Sequence, residues 1–367
     1  MTTPSTAPCL HCGAPVPPGA SACPACGQPQ VAEDPPEAWI GRVIDGKYQV
    51  EAILGIGGMG MVFEARRVLI GDRVALKVLY PRFLESPLQR RLFRDEAIAT
   101  ARLSHDNVLA VYDADVSAEG HAYIAMELLS GRTLKAVLRE KAPMPAGELV
   151  GYMVEVCAGL EAAHRAQIIH RDLKPDNIFL EARPGGSERV KLLDFGIAAM
   201  LDADRRDEKR QRLGTLRYMA PEQCKGAAVD GRADLYALGV VCYEALTRRR
   251  ATGKTVSAVL DEAPEPPNRV LPADRQIPPP LEALVMRLLA KSPGDRPPTA
   301  AAAGEAFAAV AAWMRGELPP AARPVAALAA IAPPSVAGDD GGHRLLWIGL
   351  LLAVLVGVAG GLLWGLT

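Results

Sequence analysis

Net charge is almost absent from this chain: across 367 residues, 41 lysines and arginines meet 42 aspartates and glutamates, leaving −1. Aromatics make up only 5% of residues, and no long basic stripe interleaved with them appears, so the electrostatic footprint of a sequence-independent nucleic-acid binder is missing. No secretory leader opens the N-terminus, which argues against a disulfide framework for the seven cysteines. Residues 197–213 lack serine, threonine and tyrosine, and residues 345–366 lack any charge. Both absences become informative once the motifs around them are identified.

Four of the cysteines fall in the first 26 residues, as Cys9-Leu-His-Cys12, ten intervening residues and Cys23-Pro-Ala-Cys26, with Gly13 and Gly27 after the pairs. Two thiolates two residues apart on a tight turn bind one metal ion, and two such turns complete a tetrahedral S₄ site. Residues 1–30 therefore resemble a short zinc ribbon with Cys9, Cys12, Cys23 and Cys26 as ligands and His11 as a bystander. So small a module has almost no apolar core, so zinc supplies its folding energy, and recognition or sensing suits it better than catalysis. Cys157, Cys224 and Cys242 read as ordinary small apolar residues. Residues 31–47, rich in proline and acid at their start, read as a linker.

Next comes Leu54-Gly55-Ile56-Gly57-Gly58-Met59-Gly60-Met61-Val62, in which Gly55, Gly57, Gly60 and Val62 have the spacing of a phosphate-covering loop. A dinucleotide-binding fingerprint would open a helix here, whereas Met61 to Ala65 look extended, as the second strand of a hairpin does. Val74-Ala75-Leu76-Lys77 then places Lys77 at the end of an apolar run, aimed at the α and β phosphates of a nucleotide. In the helix expected from Ser86 to Leu103, Leu92, Glu96, Ala99 and Leu103 share one face, whereas Asp95 lies among Arg91 and Arg102. A carboxylate on an apolar stripe is costly unless paired, so Glu96 is the expected partner of Lys77.

The rest of the chain is organised around His170-Arg-Asp-Leu-Lys-Pro-Asp-Asn177, answered by Asp194-Phe195-Gly196 and closed by Ala220-Pro221-Glu222. In this order Asp172 takes the proton of a substrate hydroxyl, Lys174 sits beside the transferred phosphate, and Asn177 and Asp194 hold magnesium, or manganese in its stead. From these motifs, residues 48 to 313 resemble the eukaryotic-like, or Hanks-type, Ser/Thr protein kinases of bacteria. The resemblance implies an α+β bilobal fold, a β-rich small lobe over 48–127 and a helical large lobe over 128–313, with ATP and protein substrates. It also implies an adenine site formed by Leu54, Val62, Ala75, the gatekeeper Met126 and the backbone of Glu127 and Leu129. It further implies that Thr215 bonds to Asp172 and Lys174, that Asp234 accepts amides of the catalytic loop, and that Arg296 pairs with Glu222. His164 reads as structural.

The chain departs from the family in two places. The phosphothreonine that usually pairs with the arginine matching Arg171 has no counterpart in 197–213, where Asp202, Asp204, Asp207 and Glu208 are offered instead. Between Arg248 and Leu281 the chain is Pro-rich, so the substrate-facing helix there should be short or irregular.

Residues 314–344 turn to Ala, Pro and Gly and read as a tether. Leu345 to Leu366 then spans a hydrocarbon core of about 30 Å, with Trp347 and Trp364 near its ends. The expectation is a single-pass tail anchor in a bacterial cell membrane, with kinase and ribbon cytoplasmic and no external sensor. Gly349, Ala353, Gly357, Gly361 and Gly365 recur every fourth residue, a small-residue face that suits homodimerisation. A catalytically weak kinase-fold scaffold recruiting partners through the ribbon is the alternative, but it predicts loss of Lys77, Asp172, Asn177 or Asp194, and all four are present.

Overall fold

The structure, a computed structural model, describes residues 34–57, 59–83, 87–195, 216–253 and 255–317, with the backbone of 7–8 and 15–16. Cys9, Cys12, Cys23, Cys26, Thr215, the segment 197–213 and Leu345 to Leu366 lie outside the described residues, as does the Glu96 side chain. Near the N-terminus β1 (Ala7–Pro8) pairs antiparallel with β2 (Pro15–Val16).

The small lobe is an antiparallel six-stranded sheet built from β3 (Val43–Ile44), β4 (Tyr48–Ile56), β5 (Gly60–Arg67), β6 (Arg73–Leu79), β7 (Val111–Val116) and β8 (Ala122–Met126). The order across it is β3-β4-β5-β6-β8-β7. β6 and β8 read as near-continuous apolar runs because they are central and covered, Val74, Leu76, Tyr123 and Ala125 being fully buried. The helix α1 of this lobe runs over Pro87–Ala101, slightly inside the expected limits. The segment read as a linker up to residue 47 is in part small-lobe structure. Its 3₁₀ turn Pro36–Trp39 buries Trp39 against Phe63, with ring centroids 5.9 Å apart, and β3 adds a strand to β4. An indole buries more apolar area than any other side chain, which outweighs the prolines and acids around it.

The large lobe begins with β9 (Gly131–Thr133), α2 (Leu134–Lys141) and α3 (Ala146–Arg165). The hairpin β10 (Ile178–Ala182) and β11 (Glu188–Leu192) follows, with β9 pairing on β10. The short α4 (Pro221–Cys224) leads to α5 (Arg232–Thr247), α6 (Val256–Asp261), α7 (Pro267–Val270), α8 (Pro279–Leu288) and α9 (Ala300–Met314). α5 is buried on nearly every face, as its largely apolar run from Leu235 to Tyr243 requires, and α3, α8 and α9 pack round it. Cys157 and Cys242 are fully buried in this core and burial pushes both thiols up, while Cys224 is half-buried. Between Arg248 and Leu281 the helices α6 and α7 hold only 6 and 4 residues, matching the irregularity expected of that Pro-rich stretch.

Candidate active site

One buried carboxylate holds the catalytic loop. Asp234, in the first turn of α5 and 1% exposed, accepts the backbone N–H of His170 and of Arg171, both at 2.8 Å. Its Oδ2 also meets His164 Nε2 at 2.7 Å, which gives His164 the structural place expected of it. Gly231 leaves room for that imidazole, since a Cβ there would lie 2.5 Å from His164 Nδ1. Arg171 has φ +61°, a left-handed conformation that disfavours a side chain, and the two amides fixed on Asp234 hold it there.

The loop so bent presents the reacting groups together. Lys174 Nζ donates to Asp172 Oδ2 at 2.6 Å, and Asn177 Nδ2 donates to the Asp172 carbonyl at 2.9 Å and to Oδ2 at 3.3 Å. Leu193 N–H donates to the Asn177 carbonyl at 2.9 Å, tying this loop to the strand that delivers Asp194. Asp194, at φ +53°, accepts from Lys77 Nζ at 2.7 Å, and Lys77 is 8% exposed. Burial pushes the Asp194 carboxyl up, but the Lys77 ammonium and then Lys174 outweigh it and hold the group below the usual carboxylate range. Because a carbonyl can only accept, the 2.9 Å contact with Leu193 O places the hydrogen of His170 on Nε2, and the buried Nδ1 has no partner among the described residues. The Phe195 ring packs against this imidazole, centroids 4.7 Å apart.

The phosphate-covering hairpin belongs to the small lobe. Gly57 N–H donates to Gly60 O at 2.9 Å, and β4 and β5 flank the turn as the extended pattern after Gly60 required. Gly60 is fixed by space, since a Cβ there would stand 2.1 Å from the Val78 carbonyl oxygen. Ala75 and Met126 are buried with Leu109, and Val62, Leu128, Leu129 and Leu193 pack round them in one apolar cluster that holds the residues expected to face adenine. Leu54 and Gly55 sit at the end of β4, Leu54 being 49% exposed.

Three features of the site were not legible in the motifs. Leu109 and Leu193 belong to the apolar cluster with Ala75 and Met126; Leu193 adjoins Asp194, and only its position could have suggested it. Lys191, 7% exposed on β11, pairs with Glu127 Oε1 at 2.7 Å, and the same oxygen accepts Ala110 N–H at 2.7 Å. Glu127 N–H is itself committed to the Ala110 carbonyl at 3.0 Å, so of the backbone groups expected to face adenine at this residue the carbonyl is the one left. The partner of Lys77 among the described residues is Asp194, and the helix that carries Glu96 is in place.

Farther out, Arg296 makes a two-pronged pair with Glu222, at 2.6 and 2.8 Å, and donates to the carbonyls of Ala290, Lys291 and Arg232. This is the brace expected from sequence, and it fixes α4, whose Gln223 Nε2 donates to the Arg171 carbonyl at 3.2 Å.

The donor set fits a magnesium nucleotide. Asn177 spends its Nδ2 on Asp172, which leaves its amide oxygen, the metal-binding atom, free of that bond, while the Asp194 carboxylate supplies the second candidate ligand. One carboxylate and one amide suffice for magnesium, which keeps waters and phosphate oxygens as its other ligands. Among the described residues no cluster of three or more His, Cys, Asp or Glu could hold a metal.

Comparison with known proteins places this geometry. Residues 48–308 match the protein kinase domain family. The chain is 40% identical over 283 residues to the serine/threonine-protein kinase pkn3 of Myxococcus xanthus, covering 74% of this chain and 51% of that protein. It is 41% identical over 284 residues to Pkn1 of the same organism, covering 76% and 40%. The chain thus spans about half or less of the length of these relatives. The serine/threonine-protein kinase PknA of Mycobacterium tuberculosis is 35% identical over 302 residues, covering 81% of this chain and 68% of that one. Among solved structures, the PknI kinase domain of M. tuberculosis superposes with a TM-score of 0.60 at 29% identity, covering 75% of this chain and 98% of that one. With the loop held on Asp234, the Lys77 and Asp194 pair, and these similarities in hand, the chain belongs to the bacterial Hanks-type Ser/Thr protein kinases.

Proposed function

We propose that the protein transfers the γ-phosphoryl group of ATP to serine or threonine hydroxyls of proteins. The observation that carries this reading is the meeting of Lys77 with Asp194 and of Asp172 with Lys174 and Asn177. Asp172 receives the hydroxyl proton as the oxygen bonds to phosphorus and the bond to the β-phosphate oxygen breaks, releasing ADP. Lys174 orients that carboxylate and offsets charge on the phosphoryl oxygens, and Lys77 does the same on the nucleotide side. Asp194 and the Asn177 amide oxygen would hold magnesium, which when bound neutralises phosphate charge. Incubating the full chain with labelled ATP and magnesium should label it or a test protein, and Asp172→Asn should lower the rate about 10²–10⁴-fold. Equal labelling by the variant would remove Asp172 from the chemistry.

The finer assignments rest on sequence. Cys9, Cys12, Cys23 and Cys26 bind structural zinc, supported by their spacing; one zinc per chain, lost in Cys23→Ser, is the expected metal analysis. Leu345 to Leu366 anchors the chain in a bacterial membrane with the kinase domain and ribbon cytoplasmic, supported by its length, lack of charge and flanking tryptophans. The face of Gly349, Ala353, Gly357, Gly361 and Gly365 pairs two such helices. Carboxylates of the 197–213 segment take the place of a phosphate opposite Arg171, so activity needs no phosphate at Thr215 or Tyr218.

A further inference from the structure

A cavity of about 530 Å³ opens between α2, the catalytic loop and the C-terminal end of α5. Its charged lining is lopsided: Lys135, Arg139, Lys174, Arg217, Arg248 and Arg250 face only Asp176 and Glu244. Three of the cations are already matched, Lys135 by Asp176, Arg217 by Glu244 at 2.6 Å and Lys174 by Asp172. Arg139, Arg248 and Arg250 are exposed, and among the described residues their side chains form no ion pair.

Helix ends account for part of this surplus. Arg139 lies in the last turn of α2 and Arg248 caps α5, and each helix C-terminus carries the equivalent of about half a negative charge. Two such ends leave most of three cationic charges uncompensated. Three like charges lining one cavity repel each other, so an anion entering it relieves that repulsion as well as forming new pairs.

The cavity is also joined to the reacting centre. Lys174 both lines it and touches Asp172, so a chain that places its hydroxyl at Asp172 reaches the arginines within about two to four residues at the rise of an extended strand. We propose that this cavity is a specificity subsite for an anionic side chain, a carboxylate or a phosphorylated residue, near the acceptor hydroxyl of a protein substrate. The proposal rests on the kinase reading above and names the substrate class of that same site.

The test compares four peptides that are identical except two to four residues from the acceptor, where they carry glutamate, phosphoserine, glutamine or lysine. Binding is read by fluorescence anisotropy on the full chain carrying Asp172→Asn, and turnover by kcat/KM on the unmutated full chain. Glutamate or phosphoserine should tighten binding and lower KM about tenfold relative to glutamine, three partly exposed pairs each contributing modestly, and the gain should shrink as salt is raised. Equal gains for the two assign a carboxylate-bearing substrate, and a larger gain for phosphoserine assigns one already phosphorylated. In the variant Arg139→Gln, Arg248→Asn, Arg250→Gln the preference should vanish while turnover of the glutamine peptide is unchanged; asparagine is chosen because residue 248 has φ +57°. Should that triple variant lose its melting transition, Arg139→Gln with Arg250→Gln is read instead, with most of the preference lost. Equal binding of all four peptides, or a preference that survives these substitutions, overturns the subsite. Preferential binding without any phosphate transfer by the unmutated chain overturns the kinase reading and leaves the anion site standing.

Discussion

Replacing Asp234 by alanine should cost stability and rate together, because one side chain fixes both the catalytic loop and the start of α5. Its carboxylate, 1% exposed, accepts two backbone N–H groups at 2.8 Å and meets His164 at 2.7 Å. Hydrogen bonds to a charged group contribute about 1.5–3 kcal/mol each, so loss of the two amide bonds amounts to about 4 kcal/mol. That is a large part of a typical stability of about 5–15 kcal/mol, and at about 2–4 °C per kcal/mol it lowers the melting temperature by about 8–16 °C. Released from the carboxylate, Arg171 no longer has reason to stay at φ +61°, and Asp172, one residue on, moves with it. A displacement near 1 Å costs about 10²-fold in kcat. Thermal melts and steady-state phosphorylation of the full chain measure both. The control is Asp230→Ala, which removes the same charge from an exposed pair with Arg232 and should cost about 1 kcal/mol or less. Asp234→Asn should resemble the alanine variant, since its NH₂ faces one of two donors. An Asp234→Ala protein that melts within about 2 °C of the parent with undiminished kcat would refute the account of the loop.

Arg296→Ala leaves the Glu222 carboxylate buried without its partner and should destabilise by about 3–5 kcal/mol, whereas Arg296→Met with Glu222→Leu should recover much of that loss; denaturant melts of both decide it. Gly60→Ala drives a Cβ to 2.1 Å from the Val78 carbonyl oxygen and should cost about 1–3 kcal/mol together with nucleotide affinity, while Gly55→Ala, with open space around its Cβ, should do neither by steric clash. The Asp194 carboxyl is held below its ordinary value, so its pairing with Lys77 stabilises the fold fully above the unfolded pKa of about 4 and is lost as pH falls through the folded one. The gap in melting temperature between the parent and Asp194→Asn should therefore be level from about pH 5 to 8 and narrow below about pH 4. A gap that widens on acidification would reverse the sign of that coupling.

Much of the catalytic centre could be read in advance because phosphoryl transfer fixes residue type and order within short windows. Asp172, Lys174 and Asn177 lie within six residues, so the local backbone alone brings them together. Composition and periodicity likewise determined the hairpin after Gly60, the helix carrying Glu96 and the irregular stretch after Arg248. Contacts across long sequence separations needed the fold. Lys191 and Glu127 are 64 residues apart, and a lysine on a short strand beside an acidic hinge residue has no periodic signature. Trp39 was hidden by a proline-rich and acidic neighbourhood, because burial depends on what a side chain meets and not on its neighbours in sequence. The same holds for the cationic cavity. Arg139 belongs to the end of α2, Arg248 and Arg250 to that of α5, each unremarkable in the sequence, and only the fold brings them to the lining of one cavity. The sequence by itself determined the chemistry at Asp172, since that depends on residues a few positions apart. Tertiary structure decided what holds that chemistry in place and which charge surrounds it, because burial and electrostatic surplus are properties of assembled surfaces.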